Sequence, residues 1–256
     1  MVEASPLFFI PDWPVPANVR AAISLRLGGS SSGAFTNNNM ALHVGDDQQN
    51  VIANRQALTL ALNLSEDPHW LNQVHGTNIS YAPDRQPDVA ADGSFSDQSG
   101  FVCTVMTADC LPILLCNYAG NQVAAVHAGW RGLANGIVAE TVSRFTTDSP
   151  IMAYLGPAIG PDTFEVGADV YHHFISRVKG LRYKQQIENA FVPNPRTPGR
   201  YFANLYTLGR AALSRSGVTE VYGRDECTFS NPERFYSYRR DSITGRNASL
   251  IWLTSG

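Results

Sequence analysis

A chain of 256 residues that is 44% hydrophobic and only 16% charged can build a sizeable core, which excludes an intrinsically disordered protein. Its formal net charge of −3 gives no general attraction to nucleic acid or to an anionic membrane surface, so neither is an expected partner. No run approaches the roughly 20 apolar residues of a bilayer-spanning helix, and the apolar patch Leu7-Phe8-Phe9-Ile10 lacks the basic flank of a secretory signal, so a cytoplasmic protein is expected.

In chain order, Asp46 or Asp47 can cap a first helix that carries Val51, Leu58 and Leu62. The spacing of Ala134, Val138, Val142 and Phe145 predicts a second helix over Trp130 to Phe145. A third is expected from Asp169 to Val178, and a fourth from Asn204 to Ser216, stopped by Gly217. Extended segments are expected at Ala21 to Leu27, Leu71 to Tyr81, Phe101 to Ala108, Ile113 to Cys116, Gln122 to His127, Ile151 to Leu155, Val218 to Tyr222 and Ala248 to Leu253. Such irregular alternation predicts an α+β fold, a layered sandwich of mixed β-sheets flanked by helices, in a single domain over 1–256.

Three residues invite chemistry. His75 in NQVHG, Cys110 in TADCLPILL and His127 in AAVHAGWRG each sit at an expected strand end. Leu71, Gln73 and His75 share one side of an extended segment, as do Val123, Ala125 and His127. A thiolate and two imidazoles would leave one corner of a tetrahedral zinc ion open, the arrangement of a catalytic site. The same residues also fit a Cys–His nucleophile pair, or plain core and surface positions. Of the four cysteines, Cys103 and Cys116 read as small core residues of a reducing compartment. His172 and His173 fall side by side on the third helix, where neighbours cannot share a face, and are poor ligands.

The runs LRLGGSSSG, HVGDD followed by Asn54-Arg55, WLNQVHG, ADG, TADCLPILL, VAAVHAGWRG, LGPAIG, FEVG, CTF, FYSYRR and TGR extend from about Arg26 to Trp252. Together they resemble the YfiH family, which is described both as multicopper polyphenol oxidoreductases or laccases and as purine nucleoside phosphorylases. The resemblance implies a zinc site at His75, Cys110 and His127, with copper as second choice. It implies a purine nucleoside and phosphate as substrates: phosphorolysis of adenosine, inosine, guanosine and methylthioadenosine, and deamination of adenosine. Editing of peptidoglycan precursors is also linked to bacterial relatives. Two local departures stand out, Asn204 where Asp is common, and the polar Ser94 to Ser96 after ADG.

All but Lys179 and Lys184 of the basic residues are arginines, whose planar fork suits phosphates. Arg131, just inside a helix start, is the first choice for phosphate contact, a simple salt bridge being its alternative. Arg26, Gln73, Arg239, Arg240 and Arg246 rank below it as substrate-binding candidates. Asp109 beside Cys110 is a candidate proton carrier or ligand-orienting partner, and equally a turn-stabilising residue. Tyr236, Phe235 and Trp130 are candidates to stack on a purine. Competing functions are a hydrolase with Cys110 as nucleophile and a binding module without turnover. A multicopper oxidase is disfavoured, because six histidines are too few for a trinuclear cluster plus a blue copper site. The oligomeric state is left open.

Overall fold

The computed structural model describes residues 6–146 and 149–255. Its strands are β1 (Phe8–Phe9), β2 (Val19–Ser24), β3 (Ile79–Tyr81), β4 (Gly93–Ser96), β5 (Val102–Thr107), β6 (Leu111–Asn117), β7 (Val123–Ala128), β8 (Ile151–Leu155), β9 (Glu165–Gly167), β10 (Phe191–Pro193), β11 (Arg200–Ala203), β12 (Glu220–Tyr222) and β13 (Asn247–Leu253). Its helices are α1 (Gln48–Ala61), α2 (Trp130–Asn135), α3 (Ile137–Val142), α4 (Ala168–Ile175), α5 (Leu181–Glu188), α6 (Leu205–Arg215) and α7 (Tyr238–Asp241).

Side-chain parity along the strands builds a four-layer sandwich. In the antiparallel sheet β1-β2-β13-β5, Val19, Ala21, Ile23, Cys103, Val105 and Ile251 face the second sheet. From the other face, Ala22, Val102, Met106 and Leu250 pack under Leu58 of α1. The second sheet runs β12-β8-β6-β7-β4-β3 and is mixed, parallel at β12–β8 and β3–β4 and antiparallel elsewhere. Leu114, Cys116, Val123 and Ala125 turn toward the first sheet, while Leu111, Ile113, Leu115, Ala124 and Val126 turn toward the helical layer of Leu133, Ile137, Leu208 and Leu213. A small antiparallel sheet, β10-β11-β9, completes that outer layer.

Most expected elements are present, with informative differences. The helix expected over Trp130 to Phe145 is broken at Gly136, whose φ of 95° ends α2 and starts α3. The strand expected from Leu71 to Tyr81 shrinks to β3, because the chain turns at His75 (φ 59°). Both departures from the family pattern have local explanations. Asn204 caps α6, its side chain accepting from Thr207 N, the service an Asp would give. Ser94 and Ser96 are buried but bonded, Ser94 Oγ accepting from Thr104 N at 3.1 Å and Ser96 Oγ donating to Gln98 O at 3.0 Å.

Candidate metal centre

The antiparallel pair β6–β7 sets two of the three ligands. In register, Pro112 faces His127, and Cys110 stands two residues before Pro112, so both functional side chains emerge on the same side of the sheet at one end. His75 reaches them from the loop before β3. One ligand atom from each of His75, Cys110 and His127 lies within 4.8 Å of the others, and among the described residues they are the one such group of three. Cys110 Sγ is 3.9 Å from His75 Nε2, and the two imidazole rings meet edge to face with centroids 4.7 Å apart. Zinc bonds of about 2.0–2.3 Å hold tetrahedral ligand atoms roughly 3.3–3.6 Å apart, so this donor set fits zinc after a small contraction.

Asp92 is the residue that sequence reasoning missed. It is fully buried at the start of β4, and its Oδ1 lies 2.8 Å from His127 Nδ1. The same carboxylate accepts from the backbone N–H of His75 at 2.8 Å, Gly76 at 2.6 Å and Val74 at 3.2 Å. One side chain therefore orients one ligand ring, leaving its Nε2 free for a metal, and clamps the turn that carries another. These three N–H bonds also offset the cost, about 1–2 kcal/mol, of a left-handed His75. The only sequence signal was the ADG run. Parity placed His75 at the end of a strand; the structure corrects that to a turn held by a remote carboxylate.

The site is electrostatically poised for a thiolate. Burial raises the Cys110 thiol, but the His127 and His75 imidazoles outweigh it and pull it down to about 6. Burial opposes the His127 cation, yet the Cys110 thiolate and Asp92 hold its pKa at about 9. Burial drives the thiols of Cys103 and Cys116 up to about 12. Iodoacetamide at pH 7 is therefore expected to label Cys110 of the metal-free protein and to spare Cys103 and Cys116, with metal protecting Cys110. Peptide mapping of the label checks this; equal labelling of the three would contradict the assignment.

Gly129, the N-cap of α2, leaves little room beside two of the candidate ligands. A Cβ at Gly129 would stand 3.0 Å from Cys110 Sγ and 3.3 Å from His75 Cδ2. Gly129→Ala is expected to weaken metal binding by roughly ten- to hundredfold, the equivalent of ~1–3 kcal/mol of overpacking, measured by competition with a chromophoric chelator.

The three ligands border a cavity of about 520 Å3. Arg131, Arg239 and Arg246 line it, as do Gln73, Asp109, Trp130, Phe164, Tyr238 and His43. His43, from the HVGDD run, was not singled out from sequence; burial, then Arg246 and Arg55, push its pKa down, toward the neutral imidazole. Arg131 has its guanidinium 4.4 Å from the Trp130 ring centroid. The side chain of Gln73 is bonded in both directions to Met106, Nε2 to O at 2.8 Å and N to Oε1 at 2.7 Å, tying the His75 loop to β5.

Other candidates are placed differently from what their sequence neighbourhoods suggest. Arg26 and Arg240 do not line the cavity. Arg26 donates to Thr36 O at 2.6 Å, and Arg240 donates to Thr228 O and Phe229 O and pairs with Asp241. Asp109 has a left-handed φ of 89°, and its carboxylate accepts from Thr228 Oγ1 and from Arg239 N at 2.7 Å each, joining the Cys110 turn to α7. Phe235 and Tyr236 are fully buried and cannot stack on a ligand; Trp130, Phe164 and Tyr238 supply the aromatic rings of the cavity instead. His173 is bonded to Asn135, away from the ligands.

Residues 20–254 match the family model described as multi-copper polyphenol oxidoreductase laccase. A Pseudomonas aeruginosa protein named purine nucleoside phosphorylase PA4543 is 48% identical over 244 residues, 95% of this chain and 97% of its own length. The Escherichia coli purine nucleoside phosphorylase YfiH is 45% identical over 252 residues, covering 95% of this chain and 98% of its own. Among solved structures, the Neisseria meningitidis protein NMB0706 superposes with a TM-score of 0.89 at 43% identity, across 98% of this chain and all (100%) of its own. YlmD from Geobacillus stearothermophilus gives a TM-score of 0.80 at 30% identity, each chain covered to 93%. With the family match spanning nearly the whole length and relatives this similar, the chain belongs to the laccase-like YfiH family.

Proposed function

We propose that this chain is a zinc-dependent purine nucleoside phosphorylase, acting on adenosine, inosine, guanosine and methylthioadenosine and also deaminating adenosine, in one catalytic domain over 1–256. The single observation that carries the reading is the His75–Cys110–His127 cluster, with ligand atoms within 4.8 Å, set in the wall of a cavity of about 520 Å3 that also presents three arginines. The names of the relatives supply the substrate class. His75, Cys110 and His127 would hold the zinc ion, which would supply Lewis acidity.

The chain's own groups do the rest. Arg131, Arg239 and Arg246 provide the positive wall against which phosphate is held for attack on the anomeric carbon of the ribose. Trp130 and Tyr238 offer ring faces to a purine. Asp92 keeps the His127 ring in place, and the buried Asp109 keeps Cys110 and Arg239 at a fixed separation. A multicopper oxidase needs two further copper sites. Among the described residues no second cluster of ligands exists, and His69 is bonded to Ser80 at 2.9 Å.

The deciding assay follows hypoxanthine release from inosine with and without phosphate. Phosphate-dependent release with ribose 1-phosphate as co-product is expected; phosphate-independent release would mean hydrolysis. Ammonia release from adenosine tests the deaminase activity separately. A second reading, a cysteine hydrolase such as a peptidoglycan-precursor amidase, draws support from the 3.9 Å approach of Cys110 to His75 and the depressed thiol. Activity that survives exhaustive chelation but not alkylation would favour that reading over the metal enzyme.

A further inference from the structure

A second cavity, of about 510 Å3, opens in the helical layer and contains none of the three metal-ligand candidates. Leu133, Val138 and Phe174 form its apolar wall, and Tyr183, Arg177 and Arg215 bring polar groups to it. Arg215 lies over the Tyr183 ring, 4.5 Å from its centroid. Neither arginine has a carboxylate partner among the described residues, although acids pair with Arg200, Arg210, Arg234 and Arg240 elsewhere. Two unneutralised guanidinium groups beside an apolar pocket select for a molecule with the opposite charge at one end and hydrocarbon at the other.

This cavity is linked to the first through α2. Trp130, at the start of α2, lines the metal-bearing cavity, whereas Leu133, Ala134 and Asn135, at its end, line the second. His173 of α4 joins the two: its ring meets Trp130 at 90° with centroids 5.6 Å apart, its Nε2 lies 3.1 Å from Asn135 Oδ1, and its carbonyl accepts from Arg177 at 3.4 Å. A ligand whose anionic head engages Arg177 competes with the bond from Arg177 to the carbonyl of His173, the residue whose ring packs on Trp130.

We propose that the second cavity binds an amphipathic organic anion, one carboxylate or phosphate head on an apolar body, and that its occupancy is transmitted to Trp130 in the metal-bearing cavity. Binding itself does not depend on the phosphorylase reading, and the test uses no turnover, so the two fail separately.

Octanoate, octyl phosphate and uncharged octanol are titrated into the full-length protein by calorimetry, with tryptophan fluorescence as second readout. At least one of the two anions is expected to bind at one site about tenfold or more tighter than octanol, which reflects a charge-assisted contact. The better of the two heads identifies the anion chemistry. Arg215→Ala should weaken that binding by about tenfold or more, with Arg215→Lys recovering part of it. Ala139→Trp, at an exposed position of the lining, should block the site without disturbing the core. In Trp130→Phe the calorimetric binding should persist while the fluorescence change is lost. Equal affinity for octanol and both anions, or an unchanged affinity in Arg215→Ala, would overturn the site; a fluorescence change that persists in Trp130→Phe would overturn the link.

Discussion

Alanine at His75, Cys110 or His127, one substitution at a time, is expected to abolish metal retention and to lower nucleoside phosphorolysis by at least about a thousandfold, which corresponds to ~4 kcal/mol of lost transition-state stabilisation. The folded state should survive the first two changes with little loss. His75 is exposed and Cys110 partly so, and truncating either opens no cavity in the core. His127 is different, since it is 4% exposed and bonded to the buried Asp92. Its removal leaves one carboxylate oxygen a partner short, an effect of about 1–3 kcal/mol. Asp92 keeps its three backbone donors, so the His127→Ala protein should still fold. Elemental analysis, circular dichroism and the inosine assay on the same samples check all three variants. Retained metal with lost activity in any one of them would remove that residue from the ligand set.

The second large effect concerns stability. Asp92→Ala takes away the acceptor for His127 and for the N–H groups of Val74, His75 and Gly76, several of them shielded from water. Breaking a buried charged network on one side costs about 3–5 kcal/mol, and the metal-free Asp92→Ala protein is expected to lose stability on that scale in urea titration. Asp92→Asn keeps the volume and one acceptor oxygen, so it should retain more stability while binding metal roughly 10- to 100-fold more weakly. The pH dependence has a definite sign. Burial raises the Asp92 carboxyl pKa, but the bonds from His127, Gly76 and His75 outweigh it and hold it below the ordinary aspartate value. Its contribution is therefore complete above the unfolded value near ~4 and disappears as the pH falls through the lower folded value. The gap between wild type and Asp92→Ala should be widest between the unfolded aspartate value of ~4 and the unfolded histidine value of ~6.5, close in acid, and narrow again as pH rises through the His127 value of about 9, because Asp92 helps hold that cation.

Much of the architecture was legible because the strands obey strict alternation. Val123, Ala125 and His127 share a face in the sequence, and they share it in β7. The expected break between extended segments at Cys110 is where the chain enters β6, whose Pro112 is in register with His127. Two kinds of information were not readable. A left-handed turn such as that at His75 has no local pattern when its residue is neither Gly nor Asn, because the bonds that hold it come from Asp92, remote in sequence. The interior use of polar side chains was equally hidden. Arg26 and Arg240 look like anion binders by type, yet they lie outside the cavity lining and satisfy loop carbonyls, whereas Arg239 and Arg246 bond backbone carbonyls while still lining it. Phe235 and Tyr236 look like stacking rings but fill the core, and Tyr238 two positions on is the one that opens to the cavity. Gly136, unremarkable within an apolar helical repeat, divides one expected helix in two.

X-ray absorption at the zinc edge of the zinc-loaded protein is the most direct test of the metal centre. One sulfur at about 2.3 Å and two imidazole nitrogens at about 2.0–2.1 Å, with the sulfur lost in Cys110→Ala, are the expected result. A zinc shell that contains no sulfur, or one unchanged by the Cys110 substitution, would contradict the assignment of His75, Cys110 and His127 as the ligands.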